Sequence, residues 1–495
     1  MTDYFLATFL HIHQGIINNR AAGGYLLPKI RITAMPCAHF SNFSLDDDIT
    51  YFFYIGEIKN YGLNIFLREA LTRITGRPHD FIAIVPDILE QYNYKNIIAI
   101  NPDLASCRER YSERVSCRVP AKDFVTAVCR EDEIRDLVEK VAKKQSEVFV
   151  YMYESLAEMT LDDIKGVSIL GPDKELAKNA NNKSFQMKSL KDTVPVVEFK
   201  TCSGYDDLIR TCRELFPVWS DGIFVTKEYS AAGIHSTVAG CLEDIESKFD
   251  KEDVPYLITR FVPHVYDPTV LGVAAGPDDI YIAGVADQRI EGGNRFTGST
   301  FPSVLSEKIQ TELNEYTRKV GAWLAGQGYR GIFGCDYIVT ETDEIRFLEI
   351  NARKQGTTLE FTCTLEQNLP PGSPMLPELE YHAVRHGRLP ENAVEPMGNK
   401  KGIHWGTYNY KIHEPVVTGG YIPHAVWERE SFKKIADNDL VKDYLILEHT
   451  GSDLFVTQGS FVARVVALGH DHESVTQGIE QGKKIIELTF KPENE

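Results

Sequence analysis

The chain has 495 residues, with 53 Lys and Arg against 71 Asp and Glu, a formal charge of −18 at pH 7. Its 43% hydrophobic and 25% charged content is that of a globular chain with material for about three domains, which excludes a disordered tail and a fibre. An acidic chain without a long cluster of Lys and Arg excludes nucleic acid and anionic membrane as expected partners, and leaves room for a small anion in a locally basic pocket.

The nine cysteines never fall as CxxC, the pattern of free thiols in a reducing compartment, so the cytoplasm is the expected location. Phe5 to Ile17 is apolar, but it has no basic stretch ahead of it, carries two histidines and is too short to span a bilayer. It reads neither as a signal peptide nor as an anchor. Residues before about 40 fit no strand–helix rhythm and read as an extra arm or an oligomer contact, a homodimer being one arrangement this allows.

From Ile49 the rhythm is regular. The β-rich runs Ile49 to Gly56, Asp80 to Asp87, Asn96 to Asn101, Glu147 to Tyr153 and Val167 to Gly171 alternate with amphipathic stretches such as Tyr61 to Arg73 and Glu131 to Lys144. That alternation predicts a parallel sheet with helices on its faces, an N-terminal α/β domain over 1–165. The break Leu369 to Pro374 (LPPGSP) divides a middle region, 166–368, from a C-terminal one, 375–495, whose strand-like runs and short helices predict an α+β cap. The expected fold class is thus α/β and α+β.

The middle region carries the chemistry. Two β-rich runs, Cys335 to Thr340 and Ile345 to Asn351, flank the polar turn Glu341 to Glu344. A hairpin centred on Thr342 and Asp343 pairs residues whose numbers sum to 685, placing Asp336 opposite Glu349, with Asn351 on the face of Glu349 and with Ile338 and Phe347 beside them. Opposed like charges destabilise a sheet unless something compensates. Three oxygen-bearing side chains without His or Cys suit a hard cation such as Mg²⁺, with Mn²⁺ also acceptable, and the competing reading is a solvated edge hairpin. Elsewhere His11/His13 and His470/His472 lack a third ligand, and neither a G-x-S-x-G elbow nor a Walker A loop is present.

GIFGCDYIV followed by FLEINAR, Gly331 to Arg353, resembles the metal-binding hairpin of the ATP-grasp superfamily, which includes biotin carboxylase and D-alanine:D-alanine ligase. The resemblance covers roughly Val167 to Thr358, with a small lid subdomain at about 195–262. It implies that Asp336, Glu349 and Asn351 hold Mg²⁺, that Lys183 and Lys227 bind ATP phosphates, and that Ser230 to Ser236, including Gly233, is the loop closing over them. It further implies that Arg260 and Val262 present backbone to adenine, that Asp267 meets the ribose, and that Arg353 steadies an acyl phosphate. Arg289 and Arg295 suit a substrate carboxylate clamp, since a guanidinium fork matches that group, and Gln355 stands where it could touch substrate. The function so implied is an ATP-dependent carboxylate–amine ligase acting on small acids and amines: amino acids, peptides or carrier-bound acyl groups. A biotin-carboxylase-like enzyme activating bicarbonate and a non-catalytic nucleotide-binding module are the alternatives.

Overall fold

The six-stranded sheet that opens the fold owes its form to runs such as Tyr51 to Ile55, in which every residue is buried, as strands covered on both faces require. The computed structural model describes residues 38–41, 43–57, 61–86, 95–110, 115–116, 119–229, 235–292, 295–418, 425–448, 454–458 and 460–490. The expected N-terminal arm, residues 1–37, lies outside them. Strands β1 (Ala38–Ser41), β2 (Thr50–Ile55), β3 (His79–Val85), β4 (Ile97–Ile100), β6 (Val148–Met152) and β7 (Val167–Leu170) stand in the order β1-β4-β3-β2-β6-β7. All neighbours are parallel except β1 and β4, so the parallel sheet expected from the alternation is present. The chain runs outward from β2 to β3 and β4 and then returns to β6, so β2 and β6 flank a topological switch point. Ligands of such sheets bind outside the carboxyl ends of the strands there.

Four strands, β8 (Phe199–Cys202), β9 (Ile223–Lys227), β10 (Ser236–Ala239) and β11 (Tyr256–Arg260), form an antiparallel sheet in the order β10-β9-β11-β8. Its core joins Ile223, Val225 and Ile258 to the amphipathic helix Tyr205–Leu215.

The largest sheet has eight strands. β12 (Pro268–Gly276), β13 (Asp279–Glu291), β14 (Arg295–Phe301), β15 (Gly331–Val339) and β16 (Ile345–Asn351) are joined by β17 (His404–Lys411), β19 (Lys442–Glu448) and β21 (Phe461–Gly469), in the order β16-β15-β12-β13-β14-β17-β21-β19. The long strands of the C-terminal stretch therefore extend the central sheet and build none of their own. The short β5 (Val115–Ser116), β18 (Val416–Thr418) and β20 (Leu454–Val456) make a three-stranded sheet. The helix Glu307–Gly326 lies against the large sheet at Gly321, where a Cβ would stand 2.7 Å from the ring of Phe333. Among the described residues no helix is long and apolar enough to cross a membrane.

Candidate active site

Asp336 and Glu349 are paired across β15 and β16, as the hairpin register predicts, and Gly334 pairs with Asn351. Two deviations cancel to give this result. The turn holds Thr340 opposite Glu344 with Asp343 left-handed, φ +62°, so the pairs nearest it sum to 684; a bulge between Asp336 and Tyr337 then restores 685. The bulge corrects one expectation. Phe347 pairs with Tyr337 and meets its ring edge-on in the core at 5.7 Å, while Leu348 and Ile338 line the cavity beside the carboxylates.

Asp336 is held from three directions. The Thr269 hydroxyl donates to its Oδ1 at 2.7 Å, Asn351 Nδ2 to its Oδ2 at 2.9 Å, and Gln355 Nε2 to Oδ1 at 3.3 Å and to Thr269 Oγ1 at 2.9 Å. The Lys183 ammonium lies in contact with Glu349 Oε2 and supplies the compensation that two opposed carboxylates need. The helix Lys183–Leu190 makes this meeting possible. Its Asn182 cap accepts from Phe185 N at 2.8 Å, and Gln186 grips β16 twice, donating to Ile350 O at 2.9 Å and accepting from Ile350 N at 2.8 Å. Burial brings the Lys183 ammonium down to about 8, Arg353 adding to the fall and Asp336 opposing it. Asp336, Glu349 and the Asn351 amide face the cavity as hard oxygen donors, the type that fits Mg²⁺.

Glycine at 334 is a seat for Gln355. A Cβ there would lie 2.1 Å from Gln355 Cδ, so Gly334→Ala must expel the amide from Asp336 and Thr269. We expect Gly334→Ala to cost about 1–3 kcal/mol in urea melts, and to cost almost nothing in a Gln355→Ala background. Equal costs in both backgrounds would show that the steric account is wrong.

The cavity has a volume of about 450 Å³ and opens between the four-stranded sheet and the face of the eight-stranded one. Tyr153 and Glu57, just past the ends of β6 and β2, reach it at the switch point. Arg353 lies over the Tyr153 ring at 5.6 Å, with Nε 3.6 Å from Glu154. Ser236 is buried in the wall, but it begins a strand and does not belong to a loop; Ser230 and Gly233 lie outside the described residues.

Lys227 is not in the wall. Alternation along β9 turns Phe224 and Thr226 to the cavity and carries Lys227 to the side of Ile223 and Val225, where its Nζ donates to Glu252 at 2.7 Å. Arg260 and Val262 line the cavity, yet the Arg260 N–H is spent on Glu198 O at 2.8 Å and the Val262 carbonyl accepts from His264 Nδ1 at 2.7 Å. Asp267 also faces the cavity and accepts from His264 Nε2 at 3.0 Å. Burial works against the imidazolium of His264, and these two hydrogen bonds outweigh it and raise its pKa. Arg289 and Arg295 are absent from the wall: β13 and β14 present Gln288, Ile290, Phe296 and Ser299 instead, and Arg295 pairs with Glu291.

Arg464, which no sequence motif marks, also lines the cavity. It sits 2% exposed on β21 opposite Asn409 of β17, and its Nη2 reaches Gly356 O at 2.5 Å and Glu360 Oε1 at 2.5 Å. The signal available was a lone arginine inside the apolar run FVARVVALG, since charges are rarely buried without a task. Behind it lies Glu428, 1% exposed, whose carboxyl is pushed up to about 8 by burial and by Glu360. The ordinary value of 4.5 applies in the unfolded chain, so between about 4.5 and 8 the folded state binds the extra proton and stability falls as pH rises. Urea melts from pH 5 to 8 should show this slope, and Glu428→Gln should flatten it; an unchanged slope would remove Glu428 from the explanation.

Residues 180–357 match a family described as ATP-grasp domain. Two curated relatives are similar to parts of the chain: L-propargylglycine–L-glutamate ligase of Streptantibioticus cattleyicolor, 31% identical over 101 residues, and [butirosin acyl-carrier protein]–L-glutamate ligase of Niallia circulans, 29% identical over 90. The matches cover 20% and 18% of this chain and only 20% and 22% of those proteins. Among solved structures, biotin carboxylase of Campylobacter jejuni, solved with a β,γ-ATP complex, superposes with a TM-score of 0.59 at 14% identity, covering 90% of this chain and 92% of that one.

Proposed function

With residues 180–357 an ATP-grasp domain in a chain of ATP-grasp fold, we propose that the protein is an ATP-dependent carboxylate–amine ligase. A carboxylate oxygen of the acid attacks the γ-phosphorus of ATP and ADP leaves. The amine nitrogen then attacks the acyl phosphate carbon, inorganic phosphate departs, and the nitrogen gives up a proton as the amide forms. The observation that carries this reading is the pairing of Asp336 with Glu349 beside Lys183 and Arg353 in one cavity.

Asp336, Glu349 and Asn351 are the residues that would hold Mg²⁺, which when bound neutralises the triphosphate. Lys183, placed against Glu349, provides positive charge for the phosphates. Arg353, set by Tyr153 and Glu154, stabilises the acyl phosphate and the oxyanion that follows. Val262, just past β11, and Asp267, just before β12, line the cavity where we place the nucleoside. Lys227 takes part only if it leaves Glu252. A cytoplasmic location completes the proposal, and of the three regions 1–165, 166–368 and 375–495 the last two share the eight-stranded sheet. Both curated relatives carry L-glutamate in their names, which supports an amino acid as one substrate. Bicarbonate activation has only the shared fold in its favour.

Incubating the full chain with MgATP and pairwise mixtures of amino acids and small acids, with ADP release and product mass both read, tests the proposal. The expected result is ADP release that needs both partners and an amide of their summed mass less water. ADP release stimulated by bicarbonate alone, with no amide formed, would overturn it.

A further inference from the structure

The wall of the cavity holds polar atoms that nothing in the fold satisfies. Arg464 Nε and Nη1, Thr357 Oγ1 and Ser299 Oγ are all buried without a hydrogen-bond partner, on side chains no more than 2% exposed that line the cavity. An unpaired buried polar group costs about 1–3 kcal/mol, so unsatisfied atoms on three neighbouring side chains of a cavity wall indicate a place kept for a guest. They form one group. Gly356, whose carbonyl takes Arg464 Nη2, lies between Gln355 and Thr357 in the chain, and Ser299 stands beside Thr407, two residues before Asn409, the strand partner of Arg464.

Resting on the ligase reading, we propose that this part of the wall is a carboxylate subsite, in which Arg464, Thr357 and Ser299 grip a non-reacting carboxylate of an amino-acid substrate. The guest is an anion because the strongest unspent donors are those of a guanidinium, which matches a carboxylate in shape and charge. Glu360 faces the same guanidinium, while burial and Glu360 push the Glu428 carboxyl toward its neutral form. The gripped group is not the one that reacts. The reacting carboxyl must lie at Asp336, Glu349 and Arg353, and Gln355, bonded to Asp336 at one end of the segment and followed by Gly356 on Arg464 at the other, sets the two positions side by side. The carboxylate clamp expected at Arg289 and Arg295 is thereby placed at Arg464.

Calorimetric titration of the full chain without nucleotide, using each standard L-amino acid and its α-carboxamide, tests the subsite. At least one acid should bind about 10-fold or more tightly than its amide, and Arg464→Lys should weaken that acid about 10-fold or more while leaving MgATP affinity within about 2-fold. Ser299→Ala, which keeps the Arg464–Glu360 pair, should weaken the acid by a smaller factor and serves if Arg464→Lys does not fold. Amides binding as well as acids, no acid binding at all, or folded variants with unchanged affinity for the acid would overturn the subsite. A wild-type chain that binds an amino acid through Arg464 but never MgATP would instead overturn the ligase reading and leave the carboxylate site standing.

Discussion

Glu349→Gln should lower amine-dependent ADP release by roughly 100- to 1,000-fold, the range seen when one preorganised charge-stabilising group is removed. The substitution keeps the size of the side chain and its place opposite Asp336 but removes one of two carboxylates and the partner of Lys183. Stability should move little. Loss of the Lys183 contact is offset by relief of repulsion from Asp336, so unfolding free energies from urea melts should stay within about 1 kcal/mol of wild type. The informative result is the split between activity and fold. Undiminished turnover in Glu349→Gln would sink the assignment of the hairpin, and a collapse of stability equal to the loss of rate would reduce Glu349 to a structural residue.

Lys354→Met should act in the opposite sense, on the fold first. Lys354 is 3% exposed, and its Nζ donates to Met152 O at 2.8 Å, lies 2.8 Å from Glu380 Oε2 and sits over the Tyr151 ring at 4.1 Å. It ties the end of β6 to the helix Leu376–His386 through the residue next to Arg353. Removing one partner of a buried ion pair leaves Glu380, 1% exposed, uncompensated, at a cost of about 3–5 kcal/mol. Adding Glu380→Gln should return most of that loss, because a neutral amide is far cheaper to bury. Urea melts of the wild type, the single variant and the double variant form the check. A single variant within 1 kcal/mol of wild type would mean that the pair does not hold these elements together.

How much of this was legible in the sequence depends on the distance over which each residue finds its neighbours. Asp336 and Glu349 were legible because a hairpin is local: counting outward from a short turn fixes who faces whom, and the bulge compensated for a turn misjudged by one residue. The parallel strands were legible from runs like Phe52 to Ile55, whose burial on both faces leaves no polar alternation to mislead. Lys227 shows a different limit. Its place at the end of a strand before a loop matches a phosphate site, but the face of β9 it occupies follows from Ile223 and Val225 packing inward, and counting by two along the strand would have shown it. Arg289 and Arg295 lie off the cavity for the same reason, their neighbours Gln288 and Phe296 taking the inward positions. Arg464 was legible only as a lone charge in an apolar run, not as part of the site. Its partners Gly356 and Glu360 lie more than a hundred positions upstream, and only the assembled sheet brings them together.

The order of the eight-stranded sheet bears on how the protein could be divided. Its break at Leu369 to Pro374 looks like a natural place to cut, yet β17 continues the sheet beyond β14, with Trp405 paired to Phe301 and stacked on its ring at 5.4 Å. A chain ended at the break would present β14 as a bare edge, its unpaired amides and carbonyls beside an exposed aromatic surface, the combination that recruits other chains into aggregates. The stretch that matches the ATP-grasp family is in that sense a fragment, its edge covered by the strands that follow it.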